Sequence, residues 1–236
     1  MKKLLMTTAL LGYAVAGLAG SAGAVTVSGT GEGLFGTDTC SNQVMNCGAA
    51  NSGKTLQLGG SNPGTDIYST LTVNDKTFSF NVASSLNDQV IGELTWINLA
   101  TQNTDSNFSA NYSFTLNFSA PTNLAASTHV FSLNILQPTN PPGDSVLNLT
   151  NAGLAALGSF ALAGVTVSDL HFSTDGLGGS TYNSGTGAWY NPENNTSHLF
   201  VTADFTAQQV PEPASIAVMG AGLLGIGLIR RRPRAA

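Results

Sequence analysis

Three stretches of this chain alternate strictly between apolar and polar residues, and a fourth nearly so. Phe78, Phe80 and Val82 fall on one side of an extended chain, with Thr77, Ser79 and Asn81 on the other. Tyr112, Phe114, Leu116 and Phe118 stand opposite Ser113, Thr115 and Asn117; Phe131, Leu133 and Ile135 stand opposite Ser132 and Asn134. Leu199, Val201, Ala203 and Phe205 complete the set. Successive side chains of a strand point to opposite faces, so period two places one face in a core and the other in water. Helical winding of the same residues would bury the serines, threonines and asparagines. The chain is therefore expected to be all-β, an antiparallel β-sandwich or jelly roll, with a parallel β-helix as the minor alternative.

The connections agree with many short strands. Gln137 to Asp144 reads QPTNPPGD, which cannot be a central strand because proline has no ladder donor. Asp175 to Asn195 is rich in Gly, Ser and Asn and reads as a long loop or hairpin excursion. Asn74-Asp75 is expected in a short hairpin between Leu71–Val73 and Phe78–Val82. Val25 and Val27 suggest the start of an edge strand, and Leu56 with Leu58 a second short strand. Only Asn151 to Leu162 has helical spacing, and Gly153 and Gly158 weaken it enough that a strand-to-strand linker fits as well.

Both ends differ in kind from the middle. Lys2 and Lys3 precede an apolar run from Leu4 to Ala19, and Ala22-Gly23-Ala24 forms an A-x-A cleavage site. Residues 1–24 thus read as a signal peptide, with a mature chain from Val25 to Gln209 forming the strand domain. At the other end, residues 210–234 open on Pro211, Glu212 and Pro213. An uncharged run, 214–229, follows, and then Arg230, Arg231, Arg232 and Arg234. At about 1.5 Å per residue the run extends roughly 24 Å as a helix, at the short end of what crosses a bilayer. The prolines cannot continue a helix upstream, and the arginines hold that end on the cytoplasmic side. One C-terminal transmembrane helix is expected, with the strand domain facing outward.

This three-part order of hinge, apolar run and arginine cluster, at the extreme C-terminus and behind a signal peptide, resembles the PEP-CTERM sorting signal of Gram-negative bacteria. The resemblance implies an exosortase-type membrane protease as partner and cleavage near Pro211–Pro213. It further implies a transient stay in the inner membrane before release to the surface or matrix. The middle of the chain, with IGELTWINLATQNT at 91–104 followed by NYSFTLNFSAP and QPTNPPGD, resembles secreted bacterial β-sandwich domains that carry varied C-terminal anchors. That group has no activity to carry over.

Charge narrows the function further. Only Lys54 and Lys76 remain between the two end segments, against twelve of the thirteen acidic residues. A domain about ten charges negative is a poor partner for nucleic acid or for anionic lipid. Cys40 and Cys47 are the only cysteines. A lone pair in an exported chain is expected to form a disulfide, worth about 3 kcal/mol or less for so short a loop.

No catalytic constellation stands out. His129, His171 and His198 are not at metal-ligand spacing, and no G-x-S-x-G elbow accompanies them. Glu93 and Asp169 can be named as a carboxylate pair for hydrolysis, but nothing in the spacing pairs them. Gly31 to Gly36 matches G-x-G-x-x-G without the strand and helix a dinucleotide site needs. No cofactor is expected. Calcium is the one candidate metal, at loop positions Asp66, Asp75, Asp88 and Asp144, though no D-x-D-x-D-G motif organises them. Trp189 and Tyr190, with Tyr182, lie among amides and are the candidate glycan contacts; the competing reading has Trp189 plugging its loop onto the sandwich. The chain reads first as a non-enzymatic surface or matrix protein, associated with biofilm or exopolysaccharide. A carbohydrate-binding module is the second reading and a secreted hydrolase a distant third.

Overall fold

A computed structural model describes residues 23–39, 48–58, 69–99, 106–138 and 142–208, together with Gly220 and Leu223. The chain divides into two compact units, one of Ala24–Ala207 and one of Met1–Gly23 with Gln208–Ala236. In the second unit Gly220 and Leu223 are helical. Among the described residues no helix is long and apolar enough to cross a membrane. The expected signal peptide and transmembrane run otherwise lie outside the described residues.

The strand unit runs β1 (Val25–Thr39), β2 (Gly48–Ala50), β3 (Thr55–Leu58), β4 (Ser69–Asn74), β5 (Lys76–Val82), β6 (Ser85–Asn98), β7 (Ser106–Ala120), β8 (Ser127–Gln137) and β9 (Asp144–Leu147). A short helix α1 (Asn151–Ala155) precedes β10 (Phe160–Leu162), β11 (Val165–Thr174), β12 (Thr181–Asn183), β13 (Ala188–Asn191) and β14 (Asn195–Ala207). They form two seven-stranded sheets, ordered β12-β13-β9-β8-β7-β1-β5 and β10-β11-β14-β6-β4-β3-β2. The strand pairs are antiparallel. The all-β expectation holds. With two seven-stranded sheets, the unit is larger than the eight-strand jelly roll.

The alternating stretches supply the core. Tyr112, Phe114, Leu116 and Phe118 of β7, Phe131, Leu133 and Ile135 of β8, and Leu199, Val201, Ala203 and Phe205 of β14 are all buried. Rings from the two sheets meet across the middle. Phe78 faces Phe205 at 6.3 Å, Phe131 faces Phe172 at 5.6 Å, and Trp96 stands edge-on to Trp189 at 5.1 Å. Separations of about 4.5–7 Å are those at which aromatic pairs attract.

A row of glycines lets the sheets close. Gly29, Gly31 and Gly33 occupy alternate, inward positions of β1 and are buried. A Cβ on Gly31 would stand 1.8 Å from the main-chain oxygen of Ile91 on β6, in the opposite sheet. A Cβ on Gly29 would meet the Phe78 ring at 2.6 Å, and one on Gly33 the Tyr112 ring at 2.7 Å. Gly92 of β6 does the same for Phe114, at 2.6 Å. Glycine in a strand interior marks such close approach. The first two glycines of the G-x-G-x-x-G match thus belong to a packing surface inside β1, whereas Gly36 is exposed.

Three local expectations are corrected. β1 is no edge strand, since it pairs with β5 on one side and β7 on the other. Asn74-Asp75 forms no hairpin: β4 pairs with β3 and β6, whereas β5 pairs with β1 in the other sheet. Asp75 is the corner where the chain changes sheets. The helical stretch is only α1; Thr150 caps it by accepting from the Gly153 amide, and Gly158, at φ +96°, lies in the left-handed region just beyond. β10 then turns back on β11.

The register fixes two ends. Val25 pairs with Val82, and the Ala207 amide donates to the Ser84 carbonyl at 2.8 Å. The chain therefore enters and leaves the strand unit at one end. β6, β8 and β13 finish at the other end, where β9 and β14 begin. Substituting Gly31→Ala is predicted to destabilise the full chain by at least about 2 kcal/mol in urea unfolding, from overpacking against main chain. Gly36→Ala should change it by less than about 0.5 kcal/mol, because its added Cβ would meet only Asn111 Cβ, at 3.9 Å.

Candidate functional site

The residues named from sequence do not gather into one site. Pro211, Glu212, Pro213, Arg230, Arg231, Arg232, Cys40 and Cys47 lie outside the described residues. The three aromatics named as glycan contacts separate. β13 alternates like its neighbours, so Trp189 points inward and is fully buried against Trp96. It has no face to offer a sugar, and that expectation is withdrawn. The Tyr182 hydroxyl donates to the Leu149 carbonyl at 2.6 Å, and its ring packs on Phe172 at 5.9 Å. It ties the β12–β13 hairpin to the start of α1. Tyr190, one residue on, takes the outer face and is half-buried. It lines an open cleft of about 400 Å³ with Asn107, Gln137, Pro138, Pro142 and Ser145.

The histidines and carboxylates are also dispersed. Glu93 of β6 ion-pairs with Lys76 and lies 3.0 Å from His198 Nδ1. Burial pushes its pKa up, but the hydrogen bonds and charges of Lys76 and His198 outweigh that and hold it below the usual value. Asp169 belongs to a different group, with His171 3.2 Å from Asp88. Glu93 and Asp169 therefore make no hydrolytic pair. His129 packs edge-on to Phe131 at 4.7 Å. Of the four aspartates named for calcium, Asp66 lies outside the described residues. Asp75 takes the Lys54 ammonium and the Gly33 amide, Asp88 faces His171, and Asp144 stands apart from both.

Asp144 belongs to a polar layer inside the sandwich. At the end of the strand unit opposite Val25 and Ala207, inward rows that are otherwise apolar finish in polar residues. Trp96 is followed by Asn98, Ile135 by Gln137 and Trp189 by Asn191, while Asp144 precedes Val146. All four polar residues are 3% exposed or less. Most of their hydrogen bonds are internal. Gln137 donates to Asp144 at 3.1 Å, and Ser69 to the Asn98 oxygen at 3.1 Å. The Asn98 amide donates to the main-chain carbonyls of Asn191 at 2.8 Å and Pro192 at 3.3 Å. Asn191 donates to the Trp96 carbonyl at 3.2 Å and accepts from Asn195 at 2.7 Å.

Glu193 is the exception. The residue is half-buried, yet both its carboxylate oxygens are enclosed and only the Asn98 amide stands beside them. Among the described residues the two lysines are engaged elsewhere, Lys54 with Asp75 and Lys76 with Glu93. No described cation reaches Asp144 or Glu193. Burial raises the Asp144 pKa to about 6 against the opposing Gln137 bond. Burial, the Asp144 charge and only weak help from the Asn98 amide take Glu193 to about 7. The unpaired ionised form is the costly one.

The sequence reading missed Glu193, Asn98, Asn191 and Gln137. The signal was the apolar row that ends in a polar residue on four different strands. Raised carboxyl pKa values mean the folded state holds more protons than the unfolded one, so stability falls as pH rises. In metal-free buffer the thermal midpoint of the full chain should therefore fall between about pH 4 and 7, beyond what Asp144→Asn/Glu193→Gln shows over the same range. Equal slopes would remove the pair as the cause.

No curated protein matches the chain. Residues 209–232 match the PEP-CTERM protein-sorting motif. Such a motif implies export and recognition by an exosortase, a membrane protein. The chain accordingly carries a PEP-CTERM protein-sorting motif at its C-terminal end, downstream of an antiparallel two-sheet domain.

Proposed function

We propose that this chain is a non-enzymatic surface or extracellular-matrix protein, delivered and cleaved through its C-terminal signal. The match of residues 209–232 to the sorting motif carries the reading. In it, residues 1–24 direct export and 214–229 hold the chain briefly in the inner membrane, arginines inside. An exosortase-type protease then cuts near Pro211–Pro213, and residues 25–209 are released as a folded unit. The shared end of Val25 and Ala207 supports the reading, because tether and leader can both be removed without disturbing a strand pair. The dispersal of the histidines and carboxylates favours a binding or structural role over hydrolysis.

A second reading, polysaccharide binding in the matrix, is favoured by one observation. The half-buried Tyr190 lines a cleft with two prolines, Asn107 and Ser145, surfaces on which a sugar ring can stack and hydrogen-bond. Intact-mass measurement of the extracellular protein should give a chain that begins at Val25 and lacks Arg230–Arg232. A mature protein that keeps those arginines contradicts the processing step. In a pull-down with the producer's own matrix polysaccharide, Tyr190→Ala should lower retention at least about tenfold, the loss of about 1.4 kcal/mol. Retention unchanged by that substitution counts against the cleft.

A further inference from the structure

We propose that the ligand of the Tyr190 cleft is an uncharged polysaccharide, laid across the strands on the outer face of the sheet. The proposal rests on the polysaccharide-binding reading and narrows it to one chemical class. The strand register builds the site. Asn107 of β7 lies opposite Leu136 of β8, Leu136 opposite Ser145 of β9, Ser145 opposite Tyr190 of β13, and Tyr190 opposite Thr181 of β12. Directly paired residues share a face, so these residues form one transverse row on the outer side of neighbouring strands. At about 4.8 Å between strands, the row runs about 14 Å from Asn107 to Tyr190 and about 19 Å to Thr181. The cleft follows the row as far as Tyr190, with Pro138 and Pro142 also lining it. A sugar ring is about the size of one phenol ring, so a row of this length takes a stretch of several sugars rather than one.

The row offers what a neutral sugar needs and nothing for an ionic one. Tyr190 is half-buried, and its ring and the two prolines are apolar surface for the C–H face of a sugar. Among the described residues none bonds the side-chain hydroxyls of Tyr190, Ser145 or Thr181. Tyr182 shows the contrast, since its hydroxyl is taken by the Leu149 carbonyl. The hydroxyls of the row, each able to donate and accept, are therefore left in line for those of a sugar. Charge is absent from the row and from the loop at 137–143, QPTNPPG. Among the described outward-facing residues of this sheet, Glu32 alone carries charge. It stands opposite Thr115, and Asn107 is about 27 Å back along β7 at about 3.4 Å per residue. Asp144, beside Ser145 in the chain, points into the sandwich and is 1% exposed. An acidic polysaccharide would find no cation here and would meet a domain about ten charges negative. A basic one would find no carboxylate along the row.

The producer's own matrix polysaccharide, separated by ion exchange into neutral, acidic and basic fractions, tests this. Each fraction is immobilised, and retention of the full chain in detergent is measured at about 0.05 and about 0.5 M sodium chloride. The neutral fraction should retain the chain at least about tenfold better than either charged one. Added salt should change that retention by less than about twofold, because no ion pair is there to be screened. Tyr190→Phe, Ser145→Ala and Thr181→Ala should each weaken it about two- to tenfold, as one lost hydrogen bond does. Thr77→Ala, exposed on β5 at the far edge of the same sheet, should bind like the parent. Retention confined to a charged fraction, or abolished by salt, overturns the neutral class and leaves polysaccharide binding standing. Neutral binding untouched by all three substitutions in the row places the sugar elsewhere and overturns the site. If no fraction retains the chain, the polysaccharide reading itself fails, and this proposal with it.

Discussion

Backbone contact between two sheets is unusual, and this domain depends on it. Sandwich layers ordinarily keep about 10 Å apart, a gap filled by side chains. Here β1 and β6 touch at Gly31 and Ile91, because no Cβ stands between them. The aromatic rings of β5 and β7 then lie over glycine backbone: Phe78 on Gly29, Phe114 on Gly92, Tyr112 on Gly33. Ring and glycine are complementary halves of one packing arrangement. A side chain on Gly31 would force the layers apart and loosen the rings beside it. With only two lysines between residues 25 and 209, a stretch rich in small polar residues, stability must come from such packing.

The same alternation that builds the core also builds its polar end. An inward row buries whatever its sequence places there. Where four rows finish in Asn98, Gln137, Asp144 and Asn191, polar groups are buried because the period requires it. Amides can satisfy one another, and these largely do. Asp144 accepts from Gln137, but no described lysine or histidine neutralises it or Glu193. Asp75, Glu93, Asp88 and Asp169 instead lie beside lysine or histidine. The contrast makes this end of the sandwich the chemically distinct part of an otherwise uniform domain.

Much of this was legible beforehand. Period two in residues 112–118, 131–135 and 199–205 gave the strands and their buried faces, since burial follows directly from which way each side chain points. Sheet membership was not legible. Asn74-Asp75 has hairpin composition, yet Asp75 is a corner, because a turn signal says that the chain bends and not which sheet it joins. Trp189 was judged by its Gly- and Asn-rich neighbours, although its place in β13, two residues before Asn191, fixes it inward. Gly31 and Gly33 open a match to a nucleotide motif, but their spacing of two, continued back to Gly29, is the mark of a strand face. Glu193 was invisible, since its significance comes from Asp144, which reaches it only through the β9–β13 pairing.

The sorting motif and the strand domain meet at one physical requirement: a unit that is folded and self-contained before its tether is cut. The entry and exit of the chain at one end of the sandwich meet it, with the polar layer at the other. The decisive measurement is fractionation of cells with and without the exosortase gene, following this chain by an antibody to the strand domain. The account predicts that without the protease a longer chain accumulates in the inner membrane and the extracellular form disappears. An extracellular form of unchanged mass and amount in cells lacking the protease would contradict it.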